Sequence, residues 1–200
     1  MNYTMYPNLT ALMIFMFVAA FTPGPNNLLS SYSGFNFGIK KTLPLIYGVT
    51  FGFPILLIAI NSGLIIIFKT YPTLQEVIKI LGSGFLIYLA YKVALSKKSK
   101  DQQIKNPAKF FNMLIFQFIN PKAVLFAIII VSTFISTHEN FIRDTIIVVT
   151  VAIIFSFVSI VSWCLLGKFL RRFATNEKFI QAFNYVMSFL LIVCVIMFYL

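Results

Sequence analysis

The sequence predicts an all-α, polytopic membrane protein with six transmembrane helices arranged as two inverted three-helix repeats. Of its 200 residues, 60% are hydrophobic and 10% are charged, so a domain in water could not cover its apolar surface. The apolar residues occur in six runs of about 20 residues or more, the length that spans a bilayer. Prolines beside asparagines interrupt the first and fourth runs, which predicts that helices one and four are broken.

The only polar stretch of appreciable length in the sequence, Lys97 to Gln103, divides the chain into halves. We expect a single transmembrane domain over residues 1–200, in which repeat one (1–95) and repeat two (110–200) flank a basic cytoplasmic loop (96–109). Because each half contains an odd number of helices, the two halves start on opposite sides of the membrane. Any similarity between them is therefore an inverted repeat, an arrangement typical of transporters. The predicted helices lie at 9–37, 42–68, 73–95, 110–136, 141–167 and 179–199.

The distribution of Lys and Arg predicts the orientation, because cytoplasmic loops retain positive charge. Three residues lie in one set of alternate loops: Lys69, Lys79 and Arg143. Twelve lie in the other set: Lys40, Lys41, Lys92, Lys97, Lys98, Lys100, Lys105, Lys109, Lys168, Arg171, Arg172 and Lys178. This bias predicts that both termini lie outside. It also explains the net charge of +11 without a nucleic-acid partner.

The break in helix one is predicted at Pro23, Gly24, Pro25, Asn26 and Asn27, roughly a dozen residues into the apolar run. Each proline removes a backbone donor and clashes with a carbonyl four residues back. In hydrocarbon, the freed carbonyls must find partners within the protein. The second half of the helix should therefore begin near Asn26, with its partly positive end inside the membrane.

The break in helix four is predicted at Asn120, Pro121 and Lys122. Lys122 lies about 18 Å along a helix that begins near Phe110, at ~1.5 Å per residue. That depth is near the midplane of a ~30 Å core, where an ammonium needs partners. We expect carbonyls of helix four, Asn120 and an anionic group of a ligand to supply them. The five acidic residues all fall in loops or at helix ends: Glu76, Asp101, Glu139, Asp144 and Glu177.

These eight residues are the predicted substrate-binding site, with a substrate carboxylate between Lys122 and the second half of helix one. Two other interpretations stay open at this point. The Pro-Gly-Pro run could only kink helix one for packing, and Lys122 could extend to the head groups if helix four starts later.

The runs Thr22-Pro23-Gly24-Pro25-Asn26-Asn27 and Phe118-Ile119-Asn120-Pro121-Lys122-Ala123 resemble the paired signatures of the LysE/RhtB amino-acid exporter family. The resemblance covers essentially the whole chain. The doubled Asn is closest to the branch that exports cysteine and O-acetylserine. The resemblance implies a secondary carrier that moves amino acids outward across the cytoplasmic (inner) membrane of a bacterium. It implies no enzyme activity.

Other classes fit the residues less well. A thiol-redox carrier needs a cysteine at each break, whereas Cys164 and Cys194 lie elsewhere and are predicted to be buried. A metal exporter needs oxygen-rich carboxylate sites, so no metal ligands are predicted. A hydrolase needs a base, and the single histidine, His138, falls in a predicted external loop. No cofactor is expected, and a carrier of another small solute remains an alternative.

Smaller signals leave partners and further site residues open. Gly34 with Gly38, and Gly48 with Gly52, have the spacing that permits close approach of helices. They predict either a homodimer face or, more commonly, packing of helices one and two within the monomer. Polar residues in or near the spans that could line a path are Tyr32, Tyr47, Asn61, Asn112, Gln117, Ser156 and Ser159.

Overall fold

A computed structural model describes residues 9–95, 108–135, 140–174 and 176–199. These residues form helices and no strands. The helices are α1 (Leu9–Phe21), α2 (Pro25–Ala59), α3 (Ile65–Thr70), α4 (Pro72–Ala94), α5 (Phe110–Ile119), α6 (Pro121–Phe134), α7 (Phe141–Leu170) and α8 (Glu177–Met197). A π-helical turn, Ile60–Leu64, precedes α3, and a 3-10 turn, Arg171–Phe173, follows α7. His138, Asp101 and Glu139 lie outside the described residues, as does most of the predicted basic loop.

Both predicted interruptions are present, at residues 22–24 and at Asn120. Three helices, α2, α4 and α6, begin with proline at their first position. A proline is tolerated there because the first N–H groups of a helix have no partner within the helix. Pro25, Pro72 and Pro121 therefore mark helix starts, whereas Pro23 lies in the first break and Pro44 and Pro54 lie inside α2.

Gly38 divides α2 into two straight segments, 25–37 and 39–59. Its φ of 75° is the left-handed conformation that glycine adopts without strain. The hydroxyl of Thr42 donates to Gly38 O at 2.8 Å and lies 2.8 Å from the hydroxyl of Ser33, so side chains on both segments restrain the turn. The turn falls at residue 38, between the predicted end of helix one at residue 37 and the predicted start of helix two at residue 42.

Glycines bring the segments of α2 against α7 and α5. A Cβ on Gly34 would overlap the backbone of Cys164 in α7, and one on Gly48 would lie 2.5 Å from Phe110 O in α5. A Cβ on Gly38 would meet nothing within 4 Å, so this glycine serves the turn instead. The prediction that these glycines pack helices one and two against each other is therefore wrong, because Gly34 and Gly48 instead face helices of the other half.

Two apolar clusters lie on either side of the breaks. One contains residues such as Leu28, Phe35, Phe116 and Phe183, and the other contains Met16 and its neighbours in α2, α6 and α7. The rings of Phe35 and Phe183 stack with centroids 3.7 Å apart. Because the clusters flank the breaks, they fix the two interrupted segments between packed helices.

The outer surface is also apolar, which is the surface that lipid requires. Four described segments are each long and apolar enough to cross a membrane: Pro25–Gly63, Glu76–Ala94, Phe141–Phe173 and Glu177–Met197. The bent pair α5–α6 makes a fifth if it crosses as one span, while α1 is shorter. Helix length and composition thus support four or five spans in the described chain.

Candidate functional site

The first break is held together by Asn27. Between the end of α1 at Phe21 and the start of α2 at Pro25, the chain is extended, and the last carbonyls of α1 lose their helical partners. The Asn27 amide donates to Ala20 O at 2.8 Å and to Thr22 O at 2.9 Å. The Ser159 hydroxyl of α7 also donates to Ala20 O, at 2.7 Å. Side chains therefore satisfy carbonyls that lipid could not.

The second break is a single residue, Asn120, between α5 and α6. Its φ of −83° and ψ of 106° leave the helical region, and the two helices meet with a bend of 67°. Asn120 is only 1% exposed, yet its Oδ1 has no hydrogen-bond partner. Its side chain does not cap α6 either. A buried acceptor without a partner costs free energy, so it marks a position retained for another reason.

The ammonium of Lys122 connects the two breaks. From the first turn of α6, Lys122 Nζ donates to Thr22 O at 2.8 Å, to Thr22 Oγ1 at 3.0 Å and to Pro23 O at 3.3 Å. The expectation that carbonyls of helix four and Asn120 hold this ammonium is therefore wrong. The C-terminal end of α1 holds it instead, because a helix carries partial negative charge at that end.

Gly24 gives the lysine its room. A Cβ on Gly24 would lie 2.9 Å from both Cδ and Nζ of Lys122. The ring of Phe126, one turn further along α6, lies with its centroid 5.7 Å from Nζ, within the range of a cation–π contact. The side chain is thus directed at the first break and covered by an aromatic ring, rather than extended to the head groups.

A reciprocal amide pair joins the first break to α5. Asn26 Nδ2 donates to Gln117 Oε1 at 2.8 Å, and Gln117 Nε2 donates to Asn26 Oδ1 at 3.2 Å. Gln117 is fully buried and also donates to Met113 O. This pair and the Lys122 contacts link the first broken helix to both parts of the second.

A cavity of about 70 Å³ lies where the breaks meet. Of the predicted site residues, six line it: Gly24, Pro25, Asn26, Asn27, Asn120 and Lys122. Pro23 and Pro121 do not line it; Pro23 contributes its carbonyl to Lys122, and Pro121 packs beside Gly82 of α4. The structure brings the eight residues together, and their role in binding a substrate stays a prediction.

Three of the polar residues that the sequence offered as possible lining of a path lie at this site, although none was predicted to bind substrate. Ser156 and Ser159 of α7 line the cavity, and Gln117 fixes Asn26. The spacing of three residues between the serines, which places both on one helical face, is a signal that could have singled them out. Met16, Phe53, Phe126 and Phe155 add apolar walls, which no spacing in the sequence distinguished from core or lipid-facing residues.

Neither cysteine lines this cavity, and no acidic residue in the described ranges does so. Cys164 and Cys194 are buried and unpaired, and neither lines it. Across the described ranges, no group of three or more His, Cys, Asp or Glu side chains could hold a metal ion. Asp144 is fully buried in the first turn of α7 and pairs with Arg143 at 3.0 Å, so this acid lies at a helix end as predicted.

Comparison with known proteins matches the family described as LysE type translocator over residues 17–200. The chain is 27% identical over 192 residues to "Cysteine/O-acetylserine efflux protein" of Escherichia coli O139:H28 (strain E24377A / ETEC). The same identity and length hold for the proteins of that name from Escherichia coli (strain K12) and Shigella flexneri serotype 5b (strain 8401). Each match covers 94% of this chain and 95% of the relative. No solved structure matches.

The family match extends over both breaks and every described helix except the first part of α1. Together with the apolar helices, it makes this chain a multi-pass membrane transporter and not an enzyme. The chain belongs to the LysE type translocator family.

Proposed function

We propose that this chain is a secondary carrier that exports amino acids or close derivatives, of the cysteine or O-acetylserine kind, across the cytoplasmic membrane of a bacterium. The observation that carries the proposal is the convergence of two helix breaks on one cavity that contains an ammonium and to which the described residues contribute no carboxylate. The names of the relatives agree with this substrate class.

The substrate carboxylate is bound by the first turns of α2 and α6. Each first turn carries backbone N–H groups without partners in the helix, and its dipole favours an anion. The three N–H bonds of Lys122 are already used by Thr22 and Pro23. The carboxylate therefore takes its hydrogen bonds from the helix ends and meets Lys122 as a nearby positive charge.

The substrate ammonium needs acceptors, and two groups of the cavity offer them. Asn120 Oδ1 is buried without a partner, and Ser156 lines the cavity from α7. A cavity that combines anion-binding helix ends with free acceptors suits a zwitterion. A dissolved metal cation would meet the charge of Lys122 and no carboxylate among the described lining residues, which argues against the metal-exporter alternative.

The cavity volume agrees with a small solute. A single water needs at least about 10–15 Å³ of such space, so about 70 Å³ exceeds what one water requires. Its apolar wall, formed by side chains such as Met16 and Phe155, suits a short side chain of low polarity. A thiol-redox carrier is disfavoured because neither break carries a cysteine.

The proposal includes six spans in two inverted repeats. In support, the broken helix of each half packs against the middle helix of the other half: Ser30 donates to Ile160 O in α7, and Gly48 lies against α5. The third helices of the halves, α4 and α8, run antiparallel, since Ser188 contacts Ala90 and Lys79 contacts Tyr199. Exchange of the halves leaves this pattern unchanged.

The test is transport by the purified chain in reconstituted vesicles. A panel of labelled amino acids is offered while the membrane potential and the proton gradient are varied separately. We expect flux of a small amino acid, and we expect Lys122→Ala to lower it by about tenfold or more, as loss of a charge at the site would. Lys178→Ala, at an exposed position in α8, is the control. Absence of flux for the whole panel would refute the proposal.

A further inference from the structure

The contacts of the Lys122 ammonium define a small oxygen cluster at the end of α1. An ammonium has three N–H donors, and three oxygens accept them: Thr22 O, Thr22 Oγ1 and Pro23 O, at 2.8, 3.0 and 3.3 Å. All three belong to one short segment, 99 or 100 residues away in sequence. The oxygens of the cluster therefore come from a segment far in sequence from the residue that fills it.

Other carbonyls at this helix end have other partners. Val18 O accepts from the backbone N–H and the hydroxyl of Thr22, and Ala20 O accepts from Asn27 and Ser159. Among the hydrogen bonds of the described residues, Pro23 O accepts only from Lys122. Thr22 O accepts from both Asn27 and Lys122. Without the lysine, this end of α1 would present partly negative oxygens to a membrane interior.

Oxygen clusters of this kind hold cations. Unwound carbonyls and half-helix C-terminal ends coordinate Na⁺ in carriers built from broken helices. Here, Gly24 admits the lysine stem, and Phe126 lies beside the charge at 5.7 Å. No Asp or Glu lines the adjoining cavity in the described part of the chain, so the oxygens are the local counterpart of the positive charge.

We propose that Thr22 and Pro23 form a monovalent-cation site whose occupant is the chain's own Lys122 ammonium. The site opens to a small dissolved cation, Na⁺ or methylammonium, when the lysine side chain is removed. A tethered ammonium keeps the site filled at all times and holds the first break against α6. This inference rests on the proposed carrier function only for its transport readout.

The primary test is thermal unfolding of the purified full chain in detergent, with choline chloride replaced by NaCl or methylammonium chloride at constant ionic strength. We expect both small cations to raise the melting temperature of Lys122→Ala, because a ligand that binds only the folded state stabilises it. Wild type and Lys178→Ala should give the same melting temperature in all three salts. If Lys122→Ala does not purify, Gly24→Ala is used, since its Cβ displaces the ammonium from the cluster.

The second readout is flux in vesicles. We expect Na⁺ or methylammonium, but not choline, to raise the flux of Lys122→Ala by about tenfold, and wild-type flux to be equal in the three salts. An unchanged melting temperature of the variant in every salt would overturn the cation site, and so would a wild type that requires Na⁺. Lack of wild-type flux with a cation-dependent variant melting temperature would refute the carrier function and retain the site.

Discussion

At the scale of single residues, three asparagines at the breaks have three different tasks. Asn27 satisfies carbonyls at the end of α1, and Asn26 exchanges two hydrogen bonds with Gln117. Asn120 does neither, since its buried Oδ1 has no partner. Two of the amides therefore maintain the structure, whereas the third is available to a ligand. Their identical chemistry gives no hint of this division in the sequence.

The free acceptor of Asn120 predicts a conflict between stability and transport. In Asn120→Leu, a side chain of similar shape removes the unpartnered oxygen, so the free energy of unfolding should stay equal or rise by about 1 kcal/mol. Flux should fall by about tenfold or more, because the substrate ammonium loses an acceptor. Thermal unfolding in detergent and vesicle flux measure the two effects.

Thr50→Val is the control for Asn120→Leu, because Thr50 Oγ1 is also buried without a partner but does not line the cavity. It should raise stability in the same way and leave flux unchanged. A variant Asn120→Leu with full flux would show that the orphan oxygen is unrelated to the substrate.

At the scale of helices, the breaks depend on neighbours that approach very closely. Gly82 of α4 lies directly over the second break, where its added Cβ would overlap Ile119 O and lie 2.7 Å from Pro121 Cδ. A Cβ on Gly84, two residues further along the same helix, would meet nothing within 4 Å. At the bend of 67° between α5 and α6, the backbone of α4 thus contacts the break directly, because Gly82 carries no side chain.

We predict that Gly82→Ala destabilises the protein by about 1–3 kcal/mol, the usual cost of an overfilled contact. The added methyl must push α4 away from the break, since the atoms it meets are backbone and a proline ring. Gly84→Ala should be neutral or slightly stabilising, because alanine favours a helix by about 1 kcal/mol over glycine. Thermal unfolding of both variants compares the two positions, and equal melting temperatures would show that α4 does not press on the break.

The sequence predicted the interruptions but not the contacts that join them. Proline chemistry is local, so Pro25 and Pro121 marked the starts of two helices from the sequence alone. The partners of Lys122 depend on how two distant segments pack, and proximity along the chain wrongly favoured helix four. Gly82 and Gly84 likewise have the same local environment in sequence. Only the placement of the second break separates them.

At the scale of the whole molecule, the helices of one half pack against helices of the other half more than against the helices next to them in sequence. Asn61 donates to Thr145 at one end of α7, and Ser30 donates to Ile160 further along the same helix. Segment 25–37 of α2 and the π-helical turn Ile60–Leu64 therefore contact α7 at different levels. The proposed two passes through the membrane, separated at Gly38, agree with this arrangement.

The number of spans and the positive-inside bias give a prediction for membrane topology. In a background in which Cys164 and Cys194 are replaced by Ala, we expect Lys41→Cys to react with a membrane-impermeant maleimide only after the cells are permeabilised. Tyr71→Cys should react in intact cells. Lys41 follows the Gly38 turn, which the proposed six spans place on the cytoplasmic side. Lys41 and Tyr71 are both exposed.

The central loop supplies the second half of this topology argument. Lys100→Cys should behave like Lys41→Cys, because one predicted span separates the N-terminus from residue 41 and three separate it from residue 100, so both lie on the side opposite the N-terminus. The loop also carries much of the positive charge. If α2 crossed the membrane only once, the position at residue 41 would lie in lipid and react under neither condition. Labelling of Lys100→Cys in intact cells would reverse the orientation, and the two broken helices would then enter the membrane from the sides opposite to those proposed.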